Sequence, residues 1–520
     1  MKRRKFIKTS AAAGTVPVIL NGMGISSLAM PLIAASTNED SDRVLVLIQL
    51  NGGNDGLNTV IPLDQYDNLV NVRGNVVVPE NSILPLTDSV GLHPSMPEMK
   101  NMWDNGKLNI IQDVGYPNQN RSHFRSTDIW MTASNADEFL QTGWLGRWFE
   151  MNYPGYPEGY PSEECPDPFA ITVGSLVSET CQGITGNYSL AVNSLISNDE
   201  LIEGISGNWP VSECYGSELN FLETSILQTN QYAETIQAAS NSGSNAITYP
   251  EDNDLANQLS IAAKLISGGL KSKVYVVSLG GFDTHANQVE DGNTTSGDHA
   301  RLLKCLSEAI NAFQADLEAQ GLQERVMGMT FSEFGRQIGS NEAFGTDHGT
   351  AAPLILFGSC VNPEIIGNNP TIPSAVFNQE GVPMQYDFRD VYGSVLMDWF
   401  EVSEPDVQDL LHDDFSYLPV IQGCDDDSVT EVNLENKIEI YNYPNPFTSQ
   451  TNIVFKSEAE WVKVSVHDHR GAEVKVLAKK KFSQGEHTIV FDSFGLPAGP
   501  YHVRIQTKNA QNSAAMVKVK

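Results

Sequence analysis

Basic residues are scarce: 32 Lys and Arg stand against 64 Asp and Glu in 520 residues, a formal net charge of −32. A chain this acidic lacks the clustered cations that phosphate backbones and anionic lipid surfaces require, so no nucleic acid is expected as a partner. Solubility outside the cytoplasm is the plain use of the charge. Cysteine is sparse too, six in all with no Cys-x-x-Cys pair, which argues against a thiolate zinc site or a dithiol redox motif. Disulfides remain open, with their pairing undetermined. Cys165, Cys181 and Cys214 lie in polar, Pro- and Gly-rich sequence where a staple would help. Cys305, on a helical apolar face, and Cys360, just after a strand, read as small buried hydrophobes. A permanent transmembrane segment is also missing, since the one apolar stretch near the N-terminus is interrupted by Asn21, Gly22 and Gly24.

Apolar material is sufficient for a large core, at 41% hydrophobic and 18% charged residues, and the length calls for at least two folding units. From 43 to 423, short apolar runs alternate with helical periodicity: "RVLVLIQL" (43–50), "LNIIQDV" (108–114), "FAITV" (169–173), "KVYVVSL" (273–279), "RVMGMTF" (325–331) and "PLILF" (353–357). Most are apolar on both faces, as strands covered by helices on each side should be, so the fold class is α/β. The clearest helix is 299–321, where Leu302, Leu306, Ile310, Phe313 and Leu317 make one stripe and Gly321 the stop. It predicts a parallel crossover between the strands at 273–279 and 325–331. Residues 152–167 read as an irregular surface loop near the site, and 424–437 as an acidic linker. Beyond it the pattern turns to period-two alternation in short runs, which predicts an antiparallel β-sandwich over 438–520.

Both ends of the chain speak of export. Residues 1–36 begin with a basic cluster and end in small residues, and Arg3 and Arg4 followed by Lys5, Phe6, Ile7 and Lys8 resemble the twin-arginine signal, which implies the twin-arginine translocase as a partner. At the other end, "IYNYPNPF", "LPAGPYHVRI" and the terminal "MVKVK" resemble the type A C-terminal sorting domain of the type IX secretion machinery of Bacteroidetes. That resemblance implies passage through the periplasm to the outer cell surface, or secretion.

Between them, chemically competent residues recur where predicted strands end, the place where open α/β sheets gather function. "NGGNDGLNTV" places Asp55 on a Gly-rich turn, and "NRSHFRSTDIW" opens a helix with Arg121, Ser122, His123 and Arg125. "GGFDTHANQ" supplies Asp283 and His285, "SEFGR" supplies Glu333 and Arg336, and "GTDHGTAAP" supplies Asp347 and His348. Taken singly, each reads as a turn, a cap or a structural histidine. Brought to one sheet edge, so many acids would repel one another without a cation. Asp55, Asp283, His285, Glu333, Asp347 and His348 are therefore the candidate ligands of one or two divalent metal ions, zinc foremost. Because Asp347 and His348 precede their strand, they reach that edge only if strand 353–357 runs antiparallel.

In that order these motifs resemble the exported family called domain of unknown function 1501, grouped with alkaline phosphatase-like and sulfatase-like metalloenzymes. The resemblance implies an alkaline phosphatase-like mixed, mostly parallel sheet sandwiched by helices, with Ser122 at the nucleophile position and Asp55 as the first metal-binding acid. The central Asp283 and His285 are separated only by Thr284, closer than that superfamily's usual spacing. Ser-Glu-Phe follows strand 325–331 in place of an Asp-His pair, so one imidazole ligand is either missing or supplied by His123 or His299. No Cys-x-Pro-x-Arg occurs, which disfavours type I sulfatase chemistry. The implied activity is hydrolysis of a phosphate or related ester, with Ser122 attacking and Arg121, Arg125 or Arg336 gripping oxygens of a small anionic ester or surface polymer. The alternative is a non-catalytic surface binding or assembly protein that keeps the fold. Trp130, Trp144 and Trp148 offer sugar-stacking faces, but Trp144 and Trp148, four apart, read as helix packing.

Overall fold

The computed structural model describes residues 42–193, 232–377, 379–423, 440–457, 461–468, 473–506 and 511–519; the expected export signal and acidic linker lie outside them. The chain divides into two compact units, Met1–Cys424 and Asp425–Lys520.

The first unit is built on one nine-stranded sheet. Its strands are β1 (Val44–Asn51), β2 (Leu108–Gly115), β3 (Ala170–Val173), β4 (Ser189–Val192), β5 (Val274–Gly280), β6 (Val326–Phe331), β7 (Ala352–Phe357), β8 (Ile365–Ile366) and β9 (Tyr386–Asp387). The order is β8-β2-β7-β6-β1-β5-β3-β4, with β9 also paired to β2. All pairings are parallel except those of β7, which runs antiparallel to both β2 and β6. The sheet is thus mixed and mostly parallel.

Helices cover both faces, which is why the central strands read as mostly apolar runs. The ones that matter below are α1 (Tyr66–Arg73), α2 (Pro97–Asp104), α3 (His123–Thr132), α4 (Trp144–Asn152), α5 (Asp254–Ser267), α6 (Asp298–Ala319) and α7 (Phe388–Phe400). Alternate residues of β1 point to opposite sides. Val44, Val46, Ile48 and Leu50 join a core with the apolar faces of α2, α5 and α6, while Leu45 and Leu47 join one with α3, α4 and α7. The α6 stripe of Leu302, Leu306, Ile310, Phe313 and Leu317 is fully interior, and Gly321 takes a left-handed φ of +70° just past the helix end. This helix connects β5 to β6, which flank β1 and do not pair with each other. Trp130, Trp144 and Trp148 are buried, so none is a sugar-stacking face.

Three expectations need correction. After Asn152 ends α4, residues 153–167 are irregular, but the Tyr156 ring stacks on Tyr188 at 4.3 Å and the Tyr160 ring meets Phe169 at 5.3 Å. Phe169 and Tyr188 precede β3 and β4, so the segment packs at the N-terminal ends of these strands, opposite the candidate site. Cys360 is disulfide-bonded. Cys181 is a thiol buried among core side chains, where burial pushes its pKa up. Among the described residues no helix is long and apolar enough to cross a membrane.

The second unit contains β10 (Ile440–Tyr443), β11 (Gln450–Ser457), β12 (Trp461–Asp468), β13 (Glu473–Lys481), β14 (Gly485–Asp492), β15 (Gly499–Gln506) and β16 (Gln511–Lys518). They form two antiparallel sheets, β10-β11-β14 and β13-β12-β15-β16. Ile453, Phe455, Val464, Val466, Phe491, Val503 and Ile505 supply one shared core, one residue in two along each strand.

Candidate metal centre

The sheet edge at the C-terminal ends of β1, β5 and β6 is unusually tight. Gly52 and Gly53 follow β1 with φ of +119° and +81°; a Cβ would lie 2.3 Å from the Asp283 nitrogen at the first and 2.4 Å from the Phe334 ring at the second. Only glycine combines that conformation with that approach. The antiparallel direction of β7 then delivers the loop carrying Asp347 and His348 to the same edge, which meets the geometric condition set by the sequence.

Three imidazoles gather there, and each is anchored by its Nδ1. That of His123 lies 2.8 Å from Glu333 Oε1, that of His285 2.7 Å from Asp347 Oδ1, and that of His348 2.8 Å from the Arg121 carbonyl oxygen. A carbonyl or carboxylate only accepts, so the assigned tautomer carries its proton on Nδ1 in all three rings. The Nε2 atoms converge on one carboxylate. Those of His285 and His348 are each 3.1 Å from Asp283 Oδ1, that of His123 is 3.4 Å from Asp283 Oδ2, and His285 and His348 bring their Nε2 atoms within 2.9 Å of each other. Burial lowers the pKa of His348 against smaller opposing effects, which keeps it neutral at neutral pH. The bare Nε2 of His348 thus faces a carboxylate oxygen.

Asp283 is ionised. Burial works against its charge, but the Arg336 guanidinium at 2.8 Å, with the neighbouring imidazoles, holds its pKa down to about 2. Arg336 is the firmer cause, because a neutral His348 that donates from Nδ1 has no proton on Nε2 to share. Donor atoms of His123, Asp283 and His348 lie within 4.8 Å of one another. Beneath them Phe334, 1% exposed, sets its ring 5.0 Å from that of His123 and 4.7 Å from that of His348.

The family model described as Protein of unknown function (DUF1501) matches residues 226–407, and that of the secretion system C-terminal sorting domain matches residues 441–519. The chain carries a DUF1501 region and a sorting domain. The sorting domain marks it for export to the cell surface or secretion. The DUF1501 match encloses Asp283, His285, Glu333, Arg336, Asp347 and His348, while Asp55, Arg121, Ser122 and His123 precede it. No curated protein matches the chain. Among solved structures it is similar to the phosphonate monoester hydrolase SpPMH from Silicibacter pomeroyi (9% identity, 91% of this chain and 89% of that one, TM-score 0.34). It is also similar to a protein in the alkaline phosphatase superfamily from Vibrio parahaemolyticus (12%, 84% and 82%, 0.32). A third is the PsFucS1 sulfatase from Pseudoalteromonas sp. (9%, 86% and 83%, 0.30).

Not every expected residue joins the group. Asp55 is 1% exposed, and its two oxygens take Nη1 and Nη2 of the equally buried Arg73 at 3.0 Å each. Burial raises its pKa, but Arg73, with His299 and Gln288, more than compensates and the carboxyl stays ionised. Glu333 and Asp347 sit behind the rings they orient, and Glu333 also accepts the Gly52 N–H at 2.8 Å. Arg336, 1% exposed, directs its donors to the carbonyls of Gly52, Gly53, Phe282 and Thr346 as well as to Asp283, so it braces the loops and leaves no fork for a substrate. Arg125 is likewise engaged, by Asp128 and the carbonyls of Asn135, Ala136 and Glu138. Ser122, exposed, precedes α3 without capping it through its side chain. The half-buried Arg121 guanidinium makes no hydrogen bond or ion pair among the described residues, and burial lowers its pKa. His123, which the sequence offered only as a substitute imidazole, is central. Its partner Glu333 lies 210 positions away, a pairing that no local spacing announces. The other substitute, His299, is 1% exposed and bonds Asn54 away from the group.

Proposed function

We propose that the first unit is a metal-dependent hydrolase of phosphate or related esters that works outside the cell. The observation that carries this reading is the convergence of three Nδ1-anchored imidazoles, through Nε2, on the ionised Asp283. Like-signed electron density at these distances is reconciled by a divalent cation, and mixed imidazole and carboxylate donors backed by outer acceptors suit zinc. His123, Asp283, His285 and His348 would hold the ion, with Glu333, Asp347 and the Arg121 carbonyl fixing ring orientation. Once bound, the ion supplies Lewis-acid polarisation of an ester oxygen. The Ser122 hydroxyl, at the N-terminus of the ten-residue α3, is the nucleophile, and the helix end favours the anionic group it attacks. Arg121 grips the non-bridging oxygens, a role that Arg336 and Arg125 are too engaged to fill. Export through the twin-arginine translocase before the sorting step belongs to the same reading and rests on Arg3 and Arg4.

A second reading has its own support. With Asp55 sealed beneath Arg73, the remaining donors would suffice for one ion and not two, which suits a surface binding protein with one structural metal. Metal analysis and a panel of chromogenic phosphate mono- and diesters separate the two. Hydrolysis is supported by about one zinc per chain together with turnover that Ser122→Ala abolishes without loss of metal. Bound metal with no turnover on the panel supports the binding protein, and a chain that takes up no divalent ion sinks both.

A further inference from the structure

Two loops carry residues of the centre, Asp283-Thr284-His285 after β5 and Thr346-Asp347-His348 before β7, and each contains a threonine. Neither threonine faces the centre. Thr284 is 3% and Thr346 0% exposed, and both hydroxyls donate to one atom, Gln288 Oε1, at 3.2 and 2.6 Å. The Thr346 N–H donates to the Thr284 carbonyl at 3.1 Å, which ties the loops together at the same point. The other end of the Gln288 amide, itself 0% exposed, donates from Nε2 to Asp55 Oδ2 at 2.5 Å. Asp55 is in turn fixed by Arg73.

We infer that Gln288 is a positioning residue of the metal centre: it sets the separation of the two ligand loops and references both to the buried Asp55–Arg73 pair. The inference rests on the metal-centre reading above. An amide is the side-chain group that suits this place, because it offers an acceptor to two hydroxyls and a donor to a carboxylate at once. Glutamate would set a second carboxylate against Asp55, and methionine would leave two hydroxyls without a partner in a dry interior and Asp55 Oδ2 with Arg73 alone. A shift of a few tenths of an ångström between the loops is felt directly at the 2.9 Å approach of His285 to His348. Asp55, which the sequence suggested as a ligand, thus acts on the centre from beneath and through another side chain.

The test uses the full chain with Gln288→Met, Thr346→Val and Thr346→Ser. Zinc affinity is measured by competition with a chromogenic chelator, and amide exchange over 282–288 and 344–350 is followed in metal-free protein. Outer partners of metal ligands typically contribute about 10- to 100-fold in affinity. A loss of that size is expected in Gln288→Met and Thr346→Val, with faster exchange in both segments, while Thr346→Ser, which keeps the hydroxyl, behaves as wild type. Wild-type zinc affinity in a folded Gln288→Met, or equal damage from serine and valine at 346, overturns the inference. Should Gln288→Met fail to fold, the Thr346 pair decides. If the wild type binds no zinc, the metal-centre reading fails, and exchange alone judges the clamp: unchanged rates in Thr346→Val overturn it.

Discussion

Asp55 and Asp283 follow neighbouring strands, β1 and β5, whose ends are paired at Asn51 and Gly280, yet they occupy opposite chemical worlds. Asp55 lies in the dry interior with both oxygens on one guanidinium, whereas the Asp283 side chain is 47% exposed among imidazoles. What separates a structural from a reactive carboxylate here is the partner that fills its lone pairs. A guanidinium satisfies Asp55 permanently. Arg336 takes only Oδ1 of Asp283, and the imidazoles that turn Nε2 toward this carboxylate leave it open to a cation.

The comparison can be broken most forcefully from the buried side. Arg73→Met leaves Asp55 charged and unpaired, so urea denaturation should show a loss of about 3–5 kcal/mol. Replacing both members together, Arg73→Met with Asp55→Leu, should restore part of it; if the double variant is as unstable as the single, the charge is not what the pair supplies. From the exposed side, Asp283→Ala should lower zinc affinity by roughly 100-fold or more while shifting the denaturation midpoint little, since half of the side chain is already in water. A third acid sharpens the contrast through pH. Asp113 on β2 is 3% exposed and has only Gln385 to oppose the burial that pushes its pKa up to about 7. Between about pH 4, where the unfolded carboxyl titrates, and pH 7, the folded state holds the extra proton, so stability falls as pH rises through that window. Asp113→Asn should flatten this slope, an effect of roughly 4 kcal/mol at most by pH 8, read as the pH dependence of the denaturation free energy. The smallest effect is expected from removing Asp425–Lys520. The two units have separate cores, so zinc affinity of the remaining chain should change by less than about twofold.

The residues that carry the fold were largely readable. Runs such as 44–48 and 326–329 are apolar at successive positions because β1 and β6 are covered on both faces, and such a pattern survives without knowledge of its neighbours. The reversed direction of β7 was legible only as a condition on Asp347 and His348, and the ladder with β6 supplies it. The centre was half legible. Acids and imidazoles at strand ends announce a site, but not which acid will meet an arginine first: Arg73 is an ordinary member of α1 until the fold lays it against Asp55. Gln288 closes the "GGFDTHANQ" run as an unremarkable polar residue, and its significance depends on two hydroxyls and a carboxylate meeting its amide in the interior.

Local order in the chain determined where strands and helices form, that a second β unit follows the first, and that titratable groups collect at the strand ends. These properties depend on periodicity and on the intrinsic preferences of neighbouring residues, which need no distant partner. Tertiary structure alone decided that Asp55 is neutralised, that His123 stands beside Asp283, and that Glu333 and Asp347 orient rings. Charge and hydrogen-bond pairing depend on distance in space, and these partners are brought together only when the sheet closes its edge.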